Sequence, residues 1–373
     1  MPKRYFKSPT TRKIITGLAF ACTLLATSIS AQAQQKIGLS LPLSGTASRL
    51  AQQFLIGANL ALKVHNQNSS SQLEMVTADD ACDAEIAKLA AKEMIAAKVG
   101  IVTGLLCNEA AKTIATQLVD SQIPLLVAGA RSERLIKDRE RERWNLWRLS
   151  PGDNDASSYA AETLSKSWTG EPYAIVDDGT VYGRNTADAF RAVMEENGLP
   201  PQFTDTYRPT QSTQARLVRR LRRAGITHVF IGGAAEDLAL IASNSKELDI
   251  PLQIAGGETL SIVPFLKDEF QPPDGLLAIT EKIAINPQLS PELIALFETE
   301  NIEPETHVLT GYQAIEVAAQ ALGNNSQMTG QALAGIQFET ILGPVSFDVS
   351  GKNSAEQYEL YVWKNKQFER VAQ

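Results

Sequence analysis

An alternation of strand-length and helix-length patterns most constrains what this chain can fold into. Residues 36–42, 73–79, 101–105 and 123–128 are short apolar runs. The segments between them, 50–66, 83–97 and 108–121, carry apolar residues at helical spacing, as at Leu50, Phe54, Ala58, Ala61 and Leu62. Four strands alternating with helices in this way predict a parallel sheet covered on both faces. After a breaker cluster at Leu149-Ser150-Pro151-Gly152 the alternation restarts. Helices are expected at 155–168, 183–197, 214–224 and 235–248, and strands at 173–176, 203–207, 227–231 and 251–255. The fold class is therefore α/β, with two doubly wound parallel-sheet lobes of similar size. A second break, Gln271-Pro272-Pro273-Asp274, leads to a tail with helices at 291–300 and 306–322 and strands at 342–348 and 357–363. That tail is too short for a domain of its own, so its elements must join the two lobes through a multi-strand hinge. The expected division is 34–149 and 280–345 in lobe 1, and 150–279 and 346–373 in lobe 2.

Two charge-rich stretches have a bland reading. The run 137–148 (KDRERERWNLWR) is expected to be a solvated loop or short helix, and the RRLRR of 219–223 to coat an outer helix face.

The first 33 residues read as an address, not as fold. Five basic residues and no acidic ones (Lys3, Arg4, Lys7, Arg12, Lys13) precede a mostly apolar run at 14–29, and Ala31-Gln32-Ala33 is a small-x-small cleavage pattern. This is the layout of a signal peptide cleaved after Ala33. The apolar run is short for a membrane span, and Cys22 lies too early in it for a lipoprotein cysteine. Removing five positive charges and no negative ones takes the net charge from −7 to −12. So acidic a chain is a poor binder of nucleic acid or anionic membranes, and a soluble monomer is expected. Past Ala33 only Cys82 and Cys107 remain. In an exported chain they read as one disulfide, with two buried free thiols as the alternative.

Catalytic signals are missing. His65, His228 and His307 form no HExxH or HxH metal pattern, and neither a Gly-x-Ser-x-Gly elbow nor a phosphate-binding glycine loop occurs. No metal, cofactor or enzymatic activity is expected. Polar residues instead recur just past strand ends: Ser44, Asn108, Ser132, Tyr182 and Glu258. Two lobes with such a rim suit a small-molecule receptor that closes on its ligand.

Several motifs carry a more specific resemblance. They are Asp79-Asp80-Ala81-Cys82-Asp83, Leu106-Cys107 some 25 residues on, Tyr182-Gly183, Gly232-Gly233, Gly257-Glu258, Thr310-x-Tyr312 and Gly343-Pro344. In this order along the mature chain they resemble the periplasmic leucine/isoleucine/valine-binding proteins, the type I solute-binding components of ABC transporters. The resemblance implies a periplasmic binding protein fold, a Cys82–Cys107 disulfide, an amino-acid ligand and a membrane permease as partner. It also implies roles. Asn108 would meet the ligand carboxylate, Ala130 would offer a backbone carbonyl and Ser132 a hydroxyl, Tyr182 would line the second lobe, and Glu258 would pair with the ammonium. The sequence departs from that pattern at four places. Asn108-Glu109-Ala110 replaces a serine run, and Leu50, Ala234 and His307 stand where cleft aromatics are usual. Arg131 lies between two matched positions without a counterpart; it or Arg49 could replace the lost serine contact. The resemblance thus implies transport of branched-chain-type amino acids, or reception of another small solute such as an amide or aromatic acid.

Overall fold

The computed structural model describes residues 1–4, 35–285, 289–324 and 333–372. Contacts divide the chain into Met1–Ala33 and Gln34–Gln373. All regular structure described here belongs to the second unit, and the expected signal peptide lies almost wholly outside the described residues.

The first sheet is built from β1 (Gln35–Leu41), β2 (Leu73–Asp79), β3 (Ile101–Gly104), β4 (Leu125–Val127) and β5 (Leu146–Arg148), interleaved with α1 (Ser48–Asn68), α2 (Ala84–Ala97), α3 (Asn108–Gln117) and α4 (Glu133–Lys137). Its strands are all parallel, in the order β2-β1-β3-β4-β5. The second set continues with α5 (Asp155–Trp168), β6 (Tyr173–Asp177), α6 (Val181–Glu196), β7 (Phe203–Thr206), α7 (Ala215–Arg223), β8 (His228–Gly232), α8 (Ala235–Glu247), β9 (Gln253–Gly256) and β10 (Leu277–Glu281). Then follow α9 (Lys282–Ile285), α10 (Pro291–Thr299), α11 (Thr306–Asn324), β11 (Gln337–Phe338), β12 (Val345–Ser346), β13 (Tyr358–Lys364) and β14 (Gln367–Arg370). The second sheet has the order β14-β13-β10-β9-β8-β6-β7, and β13 alone runs against the rest, antiparallel to both β10 and β14. Both faces of each sheet are covered. One face of the first packs Ile37, Leu39 and Leu41 against Phe54 of α1 and Leu309 and Ile315 of α11; the other packs Val102 against Met94 and Ile114.

The chain passes between the sheets three times: after β5, after β10 and before β13. Hydrogen bonds lace the crossings together. Arg148 N–H donates to Gly351 O at 2.8 Å, and Lys282 N–H to Gln357 O at 3.0 Å. Asn353 and Gln357 side-chain amides both donate to Leu149 O, at 3.1 and 3.0 Å.

Local chemistry explains where elements stop. β3 ends a residue earlier than its apolar run because Gly104 (φ +95°) and Leu105 (φ +58°) are left-handed. Residues 342–348 shrink to the two-residue β12, since Pro344 has no N–H to give a ladder. The 137–148 stretch departs furthest from its reading. Its end is β5, with Trp147 and Arg148 fully buried. Within the charged run, Arg139 lies 4.5 Å over the Trp147 ring and donates to Leu146 O at 2.6 Å. The RRLRR helix does present its charges outward, burying only Leu217, Val218 and Leu221.

On α11, burial pushes the Glu316 carboxyl up to about 7, although its Oε2 accepts the Ile341 N–H at 2.8 Å. A carboxyl with a raised folded-state pKa stabilises fully below its unfolded pKa and loses that contribution as pH rises through the folded value. Glu316→Gln is therefore expected to gain on the wild type between pH 4.5 and 7. The gain at pH 8, discounted for partial solvent access, is about 1–2 kcal/mol by denaturant melts. Equal pH profiles for the two proteins would refute it.

Candidate ligand site

In open α/β sheets ligands sit beyond the carboxyl ends of strands, where strand order reverses. The first sheet reverses at β1/β3 and the second at β6/β8. The loops following these strand ends are the candidate rims of a ligand site.

The Asp79–Asp83 segment is a clamp on the first rim. Ala81 and Cys82 are consecutive left-handed residues, with φ of 47° and 56°. Each acid has a structural task. Asp79 Oδ1 accepts N–H groups of Leu43 (2.9 Å), Ser44 (3.3 Å) and Ala81 (2.9 Å). Against the raising effect of partial burial, these bonds hold its carboxyl below the usual range. Asp80, fully buried, accepts from Ser40 Oγ at 2.8 Å and Cys82 N–H at 3.0 Å, yet burial raises its pKa. Asp83 caps α2 through the Glu85 and Ile86 N–H groups. The Cys82–Cys107 disulfide is formed, with Cα atoms 5.3 Å apart, and ties this turn to the start of α3.

α3 begins at Asn108 without a side-chain cap. Its first backbone N–H groups form an anion-favouring end, and Asn108 and Glu109 are exposed there. Asn108 Oδ1 accepts the Ser132 N–H at 3.0 Å, joining the ends of β3 and β4. Ser132 Oγ caps α4 by accepting the Arg134 N–H at 3.3 Å. The buried Ala130 carbonyl accepts Ser150 Oγ at 2.9 Å. Arg49 is exposed at the start of α1.

On the second rim, Thr180 caps α6. Tyr182, 46 % exposed, bonds through its hydroxyl to Thr186 and Thr259. Its phenol pKa is raised by desolvation and then by the Glu258 carboxylate. Glu258 opens the 3-10 helix Glu258–Phe265 after β9.

Arg131 reaches across. Its Nη2 lies 2.6 Å from Glu258 Oε1 and 2.6 Å from the Tyr358 hydroxyl, and its Nη1 lies 3.2 Å from Glu281 Oε1. Tyr358 donates to the same Glu258 oxygen at 2.6 Å. Glu281 ends β10 and Tyr358 opens β13, where they pair across the ladder. Burial raises the Glu281 carboxyl, which the Arg131 charge opposes and a hydrogen bond with Glu258 reinforces. Arg131 Nε is buried without a hydrogen-bond partner among the described residues.

Beside this cluster lies a cavity of about 300 Å³. Leu106, Arg131, Glu281, His307, Gln313 and Gln357 are among its lining residues. Burial lowers the His307 imidazole pKa, opposed by Glu305. The structure thus joins Arg131 to Glu258 and Asn108 to Ser132, and puts His307 with Arg131 on one cavity wall. Glu281 and Tyr358 were not anticipated. An acid at the end of the apolar run 277–281 was a readable signal for the first; no local signal marks the second.

A family model described as "Periplasmic binding protein" matches residues 34–367. The chain is 24% identical over 360 residues to the Leu/Ile/Val-binding protein homolog 3 of Brucella melitensis biotype 1, covering 94% of this chain and 97% of that protein. Its fold is similar to that of a putative branched-chain amino acid ABC transporter from Rhodospirillum rubrum (TM-score 0.78, 18% identity, 90% of this chain and 99% of that one). It is also similar to a solute-binding protein of an ABC transporter from Rhodopseudomonas palustris BisB5 in complex with 3,4-dihydroxy benzoic acid (TM-score 0.63, 18% identity, 90% and 95%).

Proposed function

The chain belongs to the periplasmic binding protein family, and from that premise we propose that it is the solute-binding component of an ABC transport system for amino acids or closely related small carboxylates. A signal peptide cleaved after Ala33 would direct export, and a membrane permease would receive the ligand. The ligand carboxylate is assigned to the uncapped start of α3 at Asn108, its tail to the cavity beside Leu106 and His307, and the second rim at Tyr182 to closure over it. The observation that carries this reading is the uncapped α3 end on the rim from which Arg131 reaches across to Glu258. The name of the Brucella relative puts branched-chain amino acids first among ligands to test. Chemistry on the ligand is not part of the reading.

The mature chain is expected to gain several degrees in melting temperature with at least one member of a panel of amino acids, 2-oxo acids, aliphatic and aromatic acids and amides. Binding only the native state raises stability by mass action. A flat response to the whole panel would overturn the proposal.

A further inference from the structure

The resemblance assigns the ligand ammonium two acceptors, the Glu258 carboxylate and the Ala130 carbonyl. Both are engaged within the chain. Glu258 Oε1 takes hydrogen bonds from Arg131 Nη2 and the Tyr358 hydroxyl, each at 2.6 Å. The Ala130 carbonyl takes one from Ser150 Oγ at 2.9 Å. The second acid nearby, Glu281, also faces Arg131, at 3.2 Å. A guanidinium fork is well matched to a pair of carboxylates. A ligand ammonium entering here would have to share these acids with a like charge already seated on them, and crowding two cations out of water is costly.

We propose that Arg131 fills, from within the chain, the cation subsite formed by Glu258, Glu281 and Tyr358, so that the cleft selects small carboxylates lacking an ammonium group over α-amino acids. The inference rests on the solute-binding reading above and narrows it to one substrate class. Two groups of donors stand on the first rim: the Arg131 guanidinium, whose Nε has no hydrogen-bond partner among the described residues, and the first N–H groups of α3. Such donors suit an anion. The neighbouring cavity of about 300 Å³ is at the small end of ligand pockets, which fits an acid of a few carbons or one ring.

The test uses matched pairs on the mature wild-type protein by calorimetry: L-leucine against 4-methylpentanoate, L-phenylalanine against 3-phenylpropanoate, and benzoate against benzamide. The expected result is at least tenfold tighter binding of an acid than of its amino-acid partner, with the neutral amide weaker than the acid. In Arg131→Ala, checked for folding by its melt, the preference should reverse toward the amino acid, whose ammonium then finds Glu258 open. Arg131→Lys, which keeps the charge, should retain the preference for the acid. Tighter binding of leucine than of 4-methylpentanoate by the wild type overturns the inference and leaves the solute-binding reading standing. Equal binding of benzoate and benzamide overturns the carboxylate assignment. Binding of none of these six compounds, with a melt shifted by another member of the wider panel, overturns the inference alone, and a flat response to the whole panel overturns both readings.

Discussion

Replacing Arg148 by alanine is expected to cost about 3–5 kcal/mol of stability. The guanidinium is 1 % exposed and sits at the end of β5. Nη2 lies 2.7 Å from Glu133 Oε1, while Nη1 donates to the carbonyls of Arg131 at 3.1 Å and Ser132 at 3.4 Å. Alanine would leave a cavity the size of a guanidinium and two carbonyls without their donor. Glu133 would keep only Lys352, 3.0 Å away. Its carboxyl is held below the usual range, against the raising effect of burial, by Arg148 and Lys352 together. Since domains carry only about 5–15 kcal/mol in all, the loss should appear as a large drop in urea midpoint. Adding Glu133→Leu should recover part of it, because removing both partners of a buried pair costs less than removing one. The remainder belongs to the two carbonyls of the 131–132 turn, which carries the cleft arginine. Ligand affinity should therefore fall at least tenfold even where the variant stays folded. A stability loss under 1 kcal/mol would show that Arg148 does not hold this turn.

That same residue shows where sequence reading stopped. The 137–148 stretch is dense in charge, and charge usually means solvent. Nothing local says that Trp147 and Arg148 are buried. They are buried because the crossing before β13 lies along β5, with Lys352 supplying a second cation to Glu133. Elsewhere the period-based reading sufficed, since strands buried on both faces must be apolar throughout. The order of βα units, the outward RRLRR face and the Cys82–Cys107 bond follow from patterns that span only a few residues or one motif. The cleft was half legible. Arg131 and Glu258 stand out singly, but their pairing joins loops 127 positions apart, and Glu281 belongs to an apolar run, β10, that was not read as a strand. Tyr358 reaches the same corner only because β13 runs antiparallel, which brings its first residue beside the last residue of β10. Strand direction in the tail is a property of the sheet it joins, not of its own sequence.

Gly57→Ala and Gly311→Ala are each expected to destabilise by more than about 3 kcal/mol, against the ordinary helix preference, which favours alanine over glycine by roughly 1 kcal/mol. The two glycines face each other where α1 crosses α11. A methyl at Gly57 would overlap the Val308 carbonyl, and one at Gly311 would overlap the Phe54 carbonyl. These obstacles are backbone atoms inside helices, so no rotamer change relieves them, and the helices must separate. Separation would open the core in which Ala58, Ala61, Leu309, Ile315 and Ala318 are packed, with the cost of lost contacts added to that of strain. Gly323, on the same α11, is the internal control: an added methyl there meets nothing within 4 Å. Gly323→Ala should be neutral or stabilise by up to about 1 kcal/mol. The sign change between two glycines on one helix separates crossing geometry from propensity, and thermal or urea melts read it directly. The consequence extends to the site, since the first turns of α11 bring Thr306, His307 and Thr310 to the cavity wall. A folded Gly311→Ala protein should bind its ligand more weakly than Gly323→Ala does. Wild-type stability in Gly57→Ala would mean that α1 and α11 do not meet backbone to backbone.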